Sequence, residues 1–111
     1  YARPDPAKPW QQPTTAHGPR AVLRELKAVM DFWLRAGCDG FRVDMASSLV
    51  KEDPDGAGIR RLWRHVRAWL ERKHPEAVLV SEWGDPAKAI RAGFHIDFML
   101  HFGEPAYQHL C

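Results

Sequence analysis

Three side chains carry the chemistry that this chain could do: Asp44, Glu82 and Arg42. Asp44 lies near the end of Gly-Phe-Arg-Val-Asp-Met, residues 40–45, where Phe41, Val43 and Met45 alternate with Arg42 and Asp44. Alternation at period two predicts a strand with the apolar set on one face and the Arg/Asp pair on the other. Such a guanidinium–carboxylate pair is costly to bury without a purpose. Glu82 closes Val-Leu-Val-Ser-Glu, residues 78–82, a near-continuous apolar run of the kind found in parallel sheets covered on both faces. Adjacent strands lie about 4.8 Å apart, so equivalent positions at two neighbouring strand ends bring their carboxyl groups close together. A carboxyl pair of that kind suits glycoside hydrolysis, one member ionised and the other protonated. Arg42 would keep Asp44 ionised. Val80 below Glu82 and Trp83 beside it would raise the Glu82 pKa by poor solvation. This assigns Asp44 as nucleophile and Glu82 as general acid/base. A lone strand-end carboxylate is more often a cap or an ion-pair partner; the register of two, with an arginine behind one, is what points to catalysis.

The elements that must position these residues can be read along the chain. Residues 1–18 are rich in proline, glutamine and threonine and read as an irregular connection, with Trp10 as the large apolar residue. Gly18-Pro19 predicts a helix start, and Val22, Leu26, Val29 and Trp33 recur at helical spacing from residue 20 to residue 36. Leu23, Met30 and Leu34 widen that stripe, and Gly37 is a natural stop. After the first strand, residues 46–57 read as a loop. A second helix follows, with Ile59, Leu62, Trp63, Val66, Trp69 and Leu70 on one face and Arg60, Arg61, Arg64, Arg67, Arg72 and Lys73 on the other. His74-Pro75 ends it before the Glu82 strand. Asp85-Pro86 caps a short helix through Arg91, stopped by Gly93, and Ile96 to Leu100 reads as a third strand.

The alternation of helix and strand implies parallel strands with right-handed crossovers. Three strands cannot close a barrel, and an open three-stranded piece leaves both edges unpaired. The reading is therefore a contiguous slice of a (β/α)8 barrel, residues 1–111 forming one partial domain truncated at both ends, with the chemistry at the C-terminal ends of the strands. A small doubly wound domain is the alternative, disfavoured because no Gly-rich phosphate loop follows any strand.

Composition narrows the function classes. A formal net charge of +2 over 111 residues does not argue for a nucleic-acid partner, and no apolar run approaches membrane-spanning length. The basic face of the second helix reads as the solvated outer side of a packed helix. Cys38 and Cys111 read as ordinary thiols. His17, His65, His74, His95 and His109 show no metal-type spacing, so no metal ligands and no cofactor are expected. Ser47 and Ser48 lack a G-x-S-x-G elbow, which speaks against a serine hydrolase. The start at Tyr1 makes the absence of a targeting signal uninformative, with a cytoplasmic location slightly favoured.

Gly-Cys-Asp-Gly-Phe-Arg-Val-Asp-Met, residues 37–45, resembles the fourth-strand motif of the α-amylase family, glycoside hydrolase family 13. Val-Leu-Val-Ser-Glu-Trp, residues 78–83, resembles its fifth-strand motif, and the 38-residue interval between Asp44 and Glu82 fits one loop-and-helix excursion. The resemblance runs from the helix at Arg20 to the strand at Ile96. It implies that Arg42 is the carboxylate clamp, Asp44 the nucleophile and Glu82 the general acid/base of a retaining glycosidase or transglycosidase acting on α-glucosidic bonds. It implies a slice from the third helix to the sixth strand of eight, with the third catalytic acid outside the chain and the isolated fragment inactive. Calcium in a parent protein is compatible with the resemblance but not readable here. The family often carries a Lys-His pair where this chain has Ser47-Ser48, and a glucosidase, isomaltase-like or transglycosylase specificity fits that departure. Trp83 and His101, at or just past strand ends, are candidates to line the sugar site of an oligosaccharide or α-glucoside substrate. The rest of the barrel would be the partner of this stretch. The competing reading is a non-catalytic amylase-like barrel serving as a binding or partner subunit, and an unrelated barrel hydrolase or lyase using the same carboxylates is a third.

Overall fold

The computed structural model describes residues 1–98 of the chain. Three helices and three strands follow one another as α1 (His17–Arg35), β1 (Gly40–Val43), α2 (Ala57–Lys73), β2 (Val78–Ser81), α3 (Pro86–Ala92) and β3 (Ile96–Asp97), with a single 3₁₀ turn, Ala46–Ser48, between β1 and α2. The expected third strand is thus the short β3, which ends before Phe98; Met99 and Leu100 of that expectation, with His101 and Cys111, lie outside the described residues.

The strands pair in parallel in the order β1-β2-β3. Sequential order with one direction of winding puts both crossover helices on the same face of the sheet. The result is a small parallel α/β domain only 17 Å across its thinnest axis, about the depth of a sheet plus one helix layer. It is compatible with a slice of a barrel.

Local chemistry explains the boundaries. α1 begins a little before the predicted start, which leaves Pro19 in the first turn, where a missing N–H costs no helical bond. It stops at Gly37, whose φ of 109° is a left-handed conformation open to glycine. α2 is anchored by Asp53, whose two carboxylate oxygens accept from the N–H groups of Gly58 and Ile59 at 2.9 and 2.8 Å. That satisfies donors the helix start cannot satisfy itself. α3 has Asp85 as its cap, accepting from the Lys88 N–H at 3.1 Å, followed by Pro86 and ended by Gly93 at φ 109°. Gly40 is fixed by a close approach: a Cβ there would fall on the backbone carbonyl of Val78 in the neighbouring strand.

The core lies between the sheet and the helices. Leu79 and Ser81 are fully buried on the helix side, beneath Ile59, Trp63, Val66 and Leu70 of α2, Ala89 and Ala92 of α3, and Phe94. The prediction that β2 is buried on both faces is corrected. Val78 is exposed and Val80 only half-buried, because no layer of described residues covers that side of the sheet. The basic face of α2 also differs in one place: Arg67 turns inward to donate to the Gly93 carbonyl at 2.6 Å and to Glu71 at 2.9 Å.

Candidate active site

Register decides what meets what. Gly40 pairs with Val78, Phe41 with Leu79, Arg42 with Val80 and Val43 with Ser81. The next residues are Asp44 and Glu82, each one step past the C-terminal end of its strand. Register partners share a face, so Arg42, Asp44 and Glu82 project from the side away from the helices. The register persists beyond the strands: the Glu82 N–H donates to the Val43 carbonyl at 2.9 Å, and the Ala46 N–H donates to the Glu82 carbonyl at 3.3 Å.

One guanidinium spans both carboxylates. Arg42 Nη1 donates to Asp44 Oδ1 at 2.8 Å, and Nη2 lies 3.0 Å from Glu82 Oε1. The planar fork of arginine suits this bridging role. Its guanidinium carbon also stands 5.4 Å from the ring centroid of Phe98, just past β3. At that distance the cation lies within reach of the ring. All three strand ends therefore contribute to one place.

Glu82 is fixed by a second donor. Its Oε2 accepts from the Met45 N–H at 3.1 Å. Met45 has φ 48°, a left-handed conformation uncommon outside glycine, and this turns its backbone toward Glu82. The loop carrying Met45 is held from below, where the buried Trp63 indole donates to the Ala46 carbonyl at 2.8 Å, and Ser48 Oγ donates to the Met45 carbonyl at 2.9 Å.

The two carboxylates sit in different surroundings. Asp44 has 72% of its side-chain surface exposed and Glu82 22%. The Asp44 carboxyl is held below the usual carboxylate range, first by a hydrogen bond from Glu82 and then by Arg42, against a smaller effect of burial. The arrangement sets one carboxylate, held ionised and exposed, beside a second, less exposed carboxyl group, with one guanidinium between them.

Trp83 is half-buried and packs against the core, its ring edge-on to Phe94 with centroids 6.2 Å apart. His101 lies outside the described residues. Sequence reasoning identified Arg42, Asp44 and Glu82, which the fold brings together, but not the parts played by Met45, Phe98 and Trp63. Nothing in the sequence announced the Met45 conformation. Trp63 appeared only as a core residue, because its spacing reports its apolar face and not its N–H.

No family model matches the chain. The chain is similar to "Alpha-amylase 3" of Dictyoglomus thermophilum, with 34% identity over 64 residues. The match covers 58% of this chain and 12% of that protein, so the chain spans a small part of the relative's length.

Proposed function

We propose that the chain is a contiguous stretch, from about the third helix to the sixth strand, of the (β/α)8 barrel of a retaining glycosidase or transglycosidase acting on α-glucosidic bonds. The observation that carries this reading is the Arg42 guanidinium shared by Asp44 and Glu82 at the ends of two adjacent parallel strands. The partial similarity to an α-amylase supports a glycoside hydrolase at the coarse level.

In the proposed reaction Asp44 Oδ attacks the anomeric carbon as Glu82 protonates the departing glycosidic oxygen. Covalent glycosyl–Asp44 results. Glu82, now ionised, takes a proton from water or a sugar hydroxyl, whose oxygen displaces Asp44 and restores the starting state. Arg42 keeps Asp44 charged and aimed. Trp83 and His101 are proposed to line the sugar, with an oligosaccharide or α-glucoside as substrate. The third acid belongs to the remainder of the barrel, and the isolated stretch is proposed to be inactive.

The test is trapping in the parent protein with a fluorinated α-glucosyl reagent and peptide mapping. The label is expected on Asp44, with retained product configuration and carboxyl groups about 5–5.5 Å apart in the complex. A label on Glu82, or an inverted product anomer by NMR, would sink the assignment.

A further inference from the structure

Asp97 has no part in the reaction as written, yet it grips the segment that carries Glu82 from both sides. It lies in β3 opposite Ser81, its register partner. Its Oδ1 accepts from Ser81 Oγ at 2.6 Å and from the Trp83 N–H at 2.9 Å. These are the residues immediately before and after Glu82. Ser81 is fully buried and also reaches the Ile96 carbonyl at 3.3 Å. The Phe98 N–H returns a bond to the Ser81 carbonyl at 3.3 Å. The turn that aims Glu82 is therefore tied to β3 through one carboxylate oxygen.

The other oxygen of Asp97 is buried and has no hydrogen-bond partner among the described residues. Burying an oxygen unpaired costs free energy, and a neutral or apolar side chain at this position would avoid the cost. Two short bonds to the flanks of Glu82 give the carboxylate a role that an apolar residue could not fill.

We propose that Asp97 is a positioning residue for Glu82, holding the carboxyl at the height and direction from which its proton reaches the leaving oxygen. This rests on the reading of Glu82 as general acid/base. Placement matters because a displacement of about 1 Å can cost roughly a hundredfold in rate. Met45 and Arg42 fix the carboxylate end of Glu82. Asp97 fixes the backbone from which that side chain springs.

The experiment compares Asp97→Ala, Ser81→Ala and Glu82→Gln in the parent protein on two substrates. One is a dinitrophenyl α-glucoside, whose leaving group departs without a proton; the other is an alkyl α-glucoside, whose leaving group needs one. Glu82→Gln should lose kcat/KM on the alkyl substrate and keep it on the aryl one. Asp97→Ala should show the same selectivity with a smaller loss, about tenfold to a hundredfold on the alkyl substrate. Ser81→Ala removes one of the two ties and leaves the Asp97–Trp83 bond in place. It should lose less again, with the same selectivity, and it decides the matter if Asp97→Ala does not fold. If Glu82→Gln is selective but Asp97→Ala, or Ser81→Ala in its place, weakens both substrates alike or neither, the positioning role is overturned and the acid/base reading stands. If Glu82→Gln shows no selectivity, the acid/base reading falls and the inference falls with it.

Discussion

Arg42 is half-exposed and its two ion pairs open to solvent, and pairs of this kind contribute little to stability. Its position is better explained by what it does to the carboxylates. Lysine would keep the charge but could not span Asp44 and Glu82 with two fixed N–H groups. On the proposed mechanism, Arg42→Lys in the parent protein is expected to lose on the order of 10²–10³ in kcat, with KM less affected, because attack geometry would suffer more than sugar binding. The pH dependence has a definite sign. Asp44 is held below its ordinary pKa first by the hydrogen bond from Glu82 and then by Arg42. Removing part of that support moves the pKa up, so the acidic limb of the pH–rate profile should shift to higher pH. A pH–rate profile of the variant beside the wild type checks both statements. Unchanged kcat with an unmoved acidic limb would make Arg42 a structural partner only.

At the level of elements, the helices and the first two strands were legible because their signals are periodic and local. Val22, Leu26, Val29 and Trp33 marked α1, the alternation around Arg42 marked β1, and the Asp85-Pro86 start and Gly93 stop marked α3. The register of Asp44 with Glu82 was legible for the same reason, since each stands near the end of a strand signal. What escaped were contacts set by tertiary approach. Gly40 is required by the Val78 backbone, and Asp53 caps α2 from several residues away. The join of β2 to β3 was also hidden. The Leu79 N–H donates to His95 Nδ1 at 3.0 Å, while the His95 N–H donates to the Leu79 carbonyl at 3.0 Å. Nδ1 can accept only while it carries no proton. Burial, then the nearby charge of Arg67, lowers the His95 pKa below its ordinary 6.5, with Glu71 opposing. A depressed pKa in the folded state means that this contribution is present above pH 6.5 and lost as the pH falls through the folded value. Hydrogen exchange of the Leu79 amide in the parent protein should show protection at neutral pH that declines under mild acid, beyond the change at neighbouring amides. His95→Phe should lower the protection at neutral pH and remove the acid-dependent part. Protection independent of pH in the wild type would count against the join.

Besides the open face of the sheet, the described residues leave uncovered a stripe along α1 and the edge at β1. On α1, Val22, Leu26, Val29 and Trp33 lie at successive helical turns and are each about half exposed or more, with Phe32 beside them. β1 stands at an edge of the sheet, with one side of its backbone unpaired by another strand. An apolar stripe of this size next to a free parallel edge is unlike the surface of a stable monomer. In the barrel reading, both surfaces are covered by the elements that come before α1 in the parent. The same reading places the third acid in the remainder of the barrel, so the isolated chain should fail twice. It should self-associate or melt without cooperativity in dilute buffer, and it should release no glucose from maltose or isomaltose above an Asp44→Ala control. Sedimentation velocity across a concentration series gives the first result. Replacing Val29 with glutamate should reduce association, since it charges the middle of the exposed stripe without removing any residue of the site. A monomer with a single cooperative melt would remove the case for missing neighbours along α1 and β1, and turnover above the control would show that Asp44, Glu82 and Arg42 suffice without a third acid.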